Sequence, residues 1–294
     1  MSAHPGPGGA ARLRALLREP GVLVCPGAFD MVSARLVERA GFQAVYMTGF
    51  GQSASHLGLP DAGYISFPEM LERATNMVRA VGIPVLADGD TGYGNELQVR
   101  RTVERYEAAG VAGMHIEDQV FPKRCGHTLG RQVIPAEDMV RKVRAAVDAR
   151  RNPDFLLIAR TDARTGHGLE EALRRARLYQ AAGADAVFVE SPESEAELAE
   201  AARGFRLPVA NMVEAGRTPM LPAPRLAALG FKLAIFPVTA LLAAARGIER
   251  ALVALREHGM SAPAAGDMMT FTELTELVGF PEVWDLERRY GVRS

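Results

Sequence analysis

Short apolar runs recur along the chain at residues 22–25, 44–47, 84–87, 113–116, 155–159, 186–189, 208–210 and 233–236. Each is brief, dominated by aliphatic residues and bounded by Gly, Pro or charged positions, the pattern of a strand buried on both faces. The segments between them differ. Residues 31–40, 97–109, 169–181 and 194–202 are rich in Ala, Leu, Arg and Glu, and several close on Ala-Gly, so they read as helices. A near-identical phrase precedes three of the strands: Glu-Arg-Ala-Gly-Phe at 38–42, Glu-Ala-Ala-Gly-Val at 107–111 and Gln-Ala-Ala-Gly-Ala at 180–184. One β–α unit used repeatedly predicts an α/β fold, a (β/α)8 barrel. A doubly wound sheet would carry a glycine-rich dinucleotide turn after its first strand, where this chain reads Pro26-Gly27-Ala28-Phe29-Asp30.

In such a barrel the chemistry sits at the carboxyl ends of the strands. The residues there are Asp30, Tyr46, Thr48, Asp88, Asp90, Glu117, Asp118, Arg160, Asp162, Glu190, Asn211 and Glu214. Any one of them can cap the helix that follows, which is the expected role of Asp30, Asp162 and Ser191. The set as a whole is harder to assign to structure, because unpaired charges converging on a barrel axis are costly. Asp88-Gly89-Asp90 sets two carboxylates on the same side of an extended segment, and Glu117 leaves the neighbouring strand. Hard oxygen donors without a His or Cys cage suit Mg²⁺, with Mn²⁺ as a substitute, better than zinc. An acidic turn leading into Thr91-Gly92-Tyr93-Gly94 is the structural alternative. A divalent ion would hold an anionic substrate, whose carboxylate Arg160 and Asn211 could engage.

The fourth connection, 118–154, is the longest, and its glycine-punctuated first part, 122–130, is a candidate lid. It carries Lys123-Arg124-Cys125-Gly126-His127. Cationic neighbours stabilise a thiolate, so Cys125 is a candidate acid, base or nucleophile that meets substrate when the lid closes. A solvated basic loop with an incidental cysteine is the alternative. The other thiol, Cys25, lies in an apolar run and reads as core, so no disulfide is expected. Of the six histidines none shows metal spacing, and His56, His167 and His258 read as surface or loop residues.

At 294 residues and 48% hydrophobic content the chain can bury a large core, and a formal net charge of -1 gives no basic field for nucleic acid or membrane surfaces. Small-molecule ligands are expected. The first ten residues lack a signal-peptide core, and the longest uncharged apolar stretch, 233–245, is too short to span a bilayer, so a cytoplasmic location is the expectation.

Taken together, Asp88-Gly89-Asp90, Glu117-Asp118-Gln119 with Lys123-Arg124-Cys125-Gly126-His127, Ala159-Arg160-Thr161-Asp162-Ala163 and Asn211-Met212-Val213-Glu214 resemble the isocitrate lyase and phosphoenolpyruvate mutase superfamily, from about residue 21 onward. The Lys-Arg-Cys-Gly-His form is similar to the carbon–carbon lyase branch, which includes 2-methylisocitrate lyase, dimethylmalate lyase and oxaloacetate hydrolase-like proteins, and to carboxyvinyl-carboxyphosphonate mutase. The resemblance implies Mg²⁺ at Asp88, Asp90 and Glu117. It implies catalytic roles for Cys125, Arg160 and Tyr46, with the thiol protonating a departing carbanion and Tyr46 near the reacting oxygen. Substrate would be held by Thr48, Gly49 and Phe50, with Lys123, Gly126, His127, Glu190 and Asn211 around it. The resemblance further implies a barrel domain at 1–260 and a C-terminal helical extension at 261–294. The last helix, 268–289, would be exchanged between subunits within a homotetramer.

Two departures narrow the substrate. The 2-methylisocitrate lyases typically show Ser-Gly-Gly where this chain has Thr48-Gly49-Phe50, and an arginine for a further carboxylate where it has Leu242. A smaller or more apolar dicarboxylate, such as a 2-alkylmalate or oxaloacetate, is therefore favoured over a tricarboxylate. The expected function is a Mg²⁺-dependent carbon–carbon lyase acting by a retro-aldol or Claisen step. The alternatives are carboxyvinyl-carboxyphosphonate phosphorylmutase chemistry and a barrel retained for binding or regulation, which should have lost part of the acidic ring or Cys125.

Overall fold

The computed structural model describes residues 8–128 and 130–291. Within them the apolar runs become parallel strands that close in chain order: β1 (Leu23–Ala28), β2 (Val45–Met47), β3 (Val85–Asp88), β4 (Gly113–Glu117), β5 (Leu156–Thr161), β6 (Ala186–Val189), β7 (Pro208–Asn211) and β8 (Leu233–Phe236). Leu23 pairs with Leu233 and Pro26 with Phe236, which seals the last strand onto the first. The helices are α1 (Gly9–Arg18), α2 (Met31–Arg39), α3 (Gly49–Gln52), α4 (Phe67–Ala80), α5 (Glu96–Ala108), α6 (Ala136–Ala149), α7 (Ala163–Ala181), α8 (Glu195–Ala202), α9 (Ala223–Leu229), α10 (Thr239–His258), α11 (Phe271–Val278) and α12 (Phe280–Tyr290). The chain is a (β/α)8 barrel.

Successive side chains point to opposite faces of a strand, and this sorts the residues into two shells. Val85, Ala87, Met114, Ile116, Leu157 and Ala159 face the helices. Ala44, Leu86, Leu156, Ile158, Ala186, Phe188 and Val209 fill the barrel. The inward phase, carried to the carboxyl ends, yields Tyr46, Asp88, Glu117, Arg160, Glu190 and Asn211. Out of that phase, Asp118 is held by Thr161 Oγ1 (2.8 Å) and, from α7, by Tyr179 (2.7 Å) and Arg175 (3.1 Å). The opposite mouth is closed by α1, whose Leu13 and Leu17 join the barrel interior.

The strand ends differ from the apolar runs in one respect: β3, β4, β5 and β7 each continue into their first polar residues, because those residues point into the barrel. Residues 233–245 divide between β8 and the start of α10. Among the described residues no helix is long and apolar enough to cross a membrane. The single terminal helix expected at 268–289 is two helices, because Gly279, at φ 98°, ends α11 in the left-handed region. α11 rests on α2, where the Arg35 guanidinium donates to the Leu277 carbonyl at 2.9 Å. α12 leaves Val283, Trp284 and Tyr290 exposed, and α10 does the same with Ile248 and Leu252.

Candidate active site

Asp88 accepts hydrogen bonds through both of its oxygens. Its Oδ2 accepts from the Gly49 amide (3.1 Å) and the Tyr46 hydroxyl (3.2 Å), and its Oδ1 from the Asp90 amide (2.8 Å). A Cβ on residue 49 would stand 2.4 Å from Asp88 Oδ2, so only glycine permits this approach. Burial pushes the Asp88 carboxyl up, but His115, Lys123 and the Asp90 amide together outweigh it and hold it at about 2. With Gly49 N on Asp88, Thr48 N on Ala28 O and Gly51 N on Thr48 Oγ1, much of the backbone expected to cradle substrate after β2 already has partners within the protein.

Tyr46 lies 2.7 Å from Nε2 of His115, a fully buried residue of β4. Burial and the neighbouring Asp88 charge push the phenol well above its ordinary range. In the resting site Tyr46 is therefore a hydrogen-bond donor and not a base.

Lys123 reaches down from the 122–128 segment, its Nζ 2.5 Å from Asp61 and 2.7 Å from Asp90. Burial opposes its charge, yet Asp90 and Asp61 outweigh that and raise it well above the usual lysine value. Asp90 is pushed up to about 7 by burial, against the pull of Lys123. Around the ring, Glu117 accepts from Gln119 (2.8 Å) and lies 3.2 Å from Arg160 Nε. Arg160 grips Asp162 through two bonds of 2.9 Å, reaches Glu190 at 3.3 Å and sits 5.0 Å over the Phe188 ring. Asn211 Nδ2 donates to Glu190 at 3.0 Å. His127 accepts from the Arg217 amide at Nδ1 (3.2 Å), which leaves Nε2, 3.3 Å from Glu190, as its protonated nitrogen.

The candidate lid is docked. The Cys125 amide donates to Asp61 O (3.0 Å), Ser191 Oγ donates to Gly126 O (3.0 Å), and Gln119 bonds both the amide and the carbonyl of Arg124. A Cβ on residue 126 would stand 2.3 Å from Arg160, which again demands glycine. Just beyond the lid, Arg131 fastens to Asp162 (2.6 Å) and Thr165 (2.5 Å). Docking brings Cys125 to the cavity. Its thiol is pushed up to about 11 by burial, against the His127 amide and with Asp61 and Glu190 adding to the effect. Burial thus outweighs any stabilisation of a thiolate by basic neighbours, and the Lys123 ammonium is committed to Asp61 and Asp90. Cys25 is fully buried inside the barrel.

The cavity so enclosed holds about 310 Å³. Its lining joins the polar Tyr46, Thr48, Asp61, Asp88, Glu117, Lys123, Cys125, His127, Arg160 and Asn211 to the apolar Phe50, Val213, Ile235, Pro237, Val238 and Leu242. Asp90 and Glu190 stand outside the lining, each bonded to a residue within it. The sequence offers no sign of Asp61, His115 and Arg131 as site residues, and offers Gln119 only as part of a motif, without a role. Of the expected caps, Asp30 does cap α2, reciprocally with Ser33. Asp162 instead serves Arg160 and Arg131, and Ser191 serves Gly126, the cap of α8 being Ser194.

Among the described residues no three His, Cys, Asp or Glu side chains form a closed metal cage. Seven buried carboxylates, Asp61, Asp88, Asp90, Glu117, Asp118, Asp162 and Glu190, nevertheless face only four buried cationic side chains, Lys123, Arg131, Arg160 and Arg175. An all-oxygen set with surplus negative charge fits a hard divalent ion that keeps water and substrate as its other ligands.

The model of the phosphoenolpyruvate phosphomutase family matches residues 13–256. The chain is 48% identical to 2,3-dimethylmalate lyase of Eubacterium barkeri, over 96% of this chain and 98% of the other. It is 43% identical to the chloroplastic carboxyvinyl-carboxyphosphonate phosphorylmutase of Arabidopsis thaliana, over 95% and 84%. Among solved structures, phosphonopyruvate hydrolase in complex with oxalate and Mg²⁺ superposes with a TM-score of 0.86 at 31% identity, covering 96% of this chain and 99% of the other.

Proposed function

This chain belongs to the phosphoenolpyruvate phosphomutase family, within the isocitrate lyase and phosphoenolpyruvate mutase superfamily, and on that premise we propose that it is a Mg²⁺-dependent carbon–carbon lyase acting on a 2-alkylmalate such as 2,3-dimethylmalate. The observation that carries the reading is one cavity in which a protonated thiol, Cys125, meets a charged oxygen cluster on one side and an apolar wall on the other. The oxalate and Mg²⁺ bound by the similar phosphonopyruvate hydrolase are of the same chemical kind.

Asp88 and Glu117, with Asp90 beside them, would hold the ion, which when bound supplies a Lewis acid for charge on the substrate's oxygens. Arg160, immobilised by Asp162, Glu117 and Glu190, offers a fixed cation to the same developing charge. Thr48, Gly49 and Phe50, together with Lys123, Gly126, His127, Glu190 and Asn211, hold and surround the substrate. Tyr46 faces its hydroxyl oxygen and relays the proton: it takes the hydroxyl proton as it passes its own to Nε2 of His115, 2.7 Å away. Cleavage separates the hydroxyl-bearing carbon, which becomes a 2-oxo acid, from its neighbour, which departs as a carbanion. Cys125 delivers a proton to that carbon, and the docked loop keeps water from competing.

A second reading, phosphorus–carbon bond formation on carboxyphosphonoenolpyruvate, is favoured by the mutase relative. One experiment separates the two: incubate the Mg²⁺-loaded protein with 2-alkylmalates, 2-methylisocitrate, oxaloacetate and carboxyphosphonoenolpyruvate, and follow products by proton and phosphorus NMR. Release of a 2-oxo acid from an alkylmalate is the expected result. A phosphonate as the faster product would assign the mutase reaction instead.

The apolar faces left open on α10 and α12 favour an assembly in which residues 261–294 form an extension that α12 carries onto a second barrel, within a homotetramer. Light scattering should give four chains per particle; a monomer overturns this assignment.

A further inference from the structure

We propose that Arg131, at the trailing end of the lid, is a positioning residue for the reaction: it clamps the carboxylate of Asp162 and thereby fixes the Arg160 guanidinium where the substrate's charge develops. The proposal rests on the lyase reading of the cavity, and it adds to that reading the residue through which lid docking reaches the catalytic cation.

Asp162 is shared by two guanidiniums. Arg160, which lines the cavity, donates from Nε to Oδ2 and from Nη2 to Oδ1, both at 2.9 Å. Arg131, which does not line it, donates from Nη1 to Oδ1 at 2.6 Å. The backbone beneath is fixed as well, the Asp162 amide donating to Asp118 Oδ1 at 2.9 Å. The side chains of Arg131 and Asp162 are 1% and 0% exposed, so this is a buried pair and not a surface contact. Burial pushes the Asp162 carboxyl up, but Arg160 and Arg131 outweigh it and hold it below the ordinary range.

Arg131 reaches this position from the base of the lid, where Val120 N bonds Gln132 O and Ile134 N bonds Asp118 O, both at 2.8 Å. Its Nη2 bonds Thr165 at 2.5 Å and lies 3.4 Å from Ser191 Oγ, which in turn donates to the Gly126 carbonyl. Gly126 itself lies against Arg160, since a Cβ there would stand 2.3 Å from the guanidinium. The catalytic arginine is thus bordered by the docked lid at Gly126 and braced by Arg131 through Asp162. The brace is built at a local cost: Arg131 Nε is buried without a partner, and Ser191 adopts φ 59°, in the left-handed region. Stability alone gains nothing from either feature, whereas such outliers gather where function demands a fixed geometry. Without Arg131, the buried Asp162 charge would draw on Arg160 alone and pull it from the cavity. Because Arg160 answers charge that grows during cleavage, its displacement weakens the transition state more than substrate binding.

Arg131→Ala leaves a space lined by Asp162, Thr165 and Ser191 that a free guanidinium ion can fill. In the full-length Mg²⁺-loaded variant, kcat on 2,3-dimethylmalate should fall about 10²-fold, the scale of a misplaced catalytic group, with KM within about threefold of the parent. Millimolar guanidinium chloride should raise kcat again by about tenfold or more, saturably, while urea or sodium chloride at the same concentration should not. Oxalate is not cleaved, and its second carboxylate puts charge where an alkylmalate has a neutral hydroxyl. By calorimetry its affinity should fall about tenfold in the variant and recover with guanidinium. Parental kcat and oxalate affinity, a loss that guanidinium does not restore, or a recovery that urea matches would each overturn the proposal. Should Arg131→Ala fail to fold, Arg131→Gln keeps more of the side chain and must lower kcat and oxalate affinity together, parental values again overturning the assignment. If the parent does not cleave 2,3-dimethylmalate, the lyase reading fails while the oxalate measurement still decides the role of Arg131, so the two failures are distinguishable.

Discussion

The two walls of the cavity are made in opposite ways. On the β2–β6 side charged groups are tied to one another: Asp88 accepts three hydrogen bonds, Arg160 serves three carboxylates and Lys123 two. On the β7–β8 side Val213, Val238 and Leu242 present hydrocarbon, and Asn211 Oδ1 and Glu214 Oε2 are buried without partners. The difference divides the labour. A preorganised network stabilises charge without reorganising during reaction, whereas an apolar wall can only sort substrates by shape and charge.

The most severe way to break the polar wall is to remove its ion. Chelation should abolish turnover and lower the melting temperature, and Mg²⁺ should restore both. Full activity in excess EDTA contradicts the assignment of Asp88, Asp90 and Glu117. Cys125→Ser comes next: kcat should fall by about 10²–10⁴-fold, the usual contribution of general acid catalysis, with substrate affinity by calorimetry nearly unchanged. The pH profile sharpens the same point. A thiol pushed up to about 11 holds its proton below that value and loses it as pH rises through it, so the alkaline limb attributable to Cys125 belongs near 11. A limb at the ordinary thiol value of 9.0 would show that the burial found here is not kept in solution.

The apolar wall is tested by substrate choice. The kcat/KM for 2-methylisocitrate should lie at least about tenfold below that for 2,3-dimethylmalate, and Leu242→Arg should raise the former selectively. Equal values for the two substrates in the parent would remove the wall's sorting role. The smallest effect is expected at Cys25→Ser, which buries a hydroxyl in the barrel interior. It should cost about 1–3 kcal/mol in a denaturant titration and leave the rate within a few-fold of the parent.

Much of this architecture is legible in the sequence. The apolar runs located every strand because buried parallel strands need continuous hydrocarbon, and the repeated Ala-Gly phrase exposed the unit. Asp88, Glu117 and Arg160 followed from their place at strand ends. What escaped was set by three-dimensional contact. His115 sits in the middle of an apolar run and looks like core until the strand's phase turns it toward Tyr46. Asp61 belongs to no strand end, and only the reach of Lys123 reveals it. Cys125 stands among basic residues in sequence, yet in space burial, which no sequence pattern displays, pushes its thiol up. Gly279 was overlooked because one glycine inside an amphipathic stretch does not show its backbone angle.

The central claim is that carbon–carbon cleavage ends with a proton handed from Cys125 to a carbanion inside a closed cavity. Cleavage of 2,3-dimethylmalate in D₂O tests it directly, because the departing carbon must acquire its new hydrogen there. The account predicts one deuterium at that carbon of the released monocarboxylate, in a single configuration, with Cys125→Ser losing rate and stereochemical control together. Deuterium in both configurations from the parent enzyme, or a Cys125→Ser variant as fast and as selective as the parent, would contradict it.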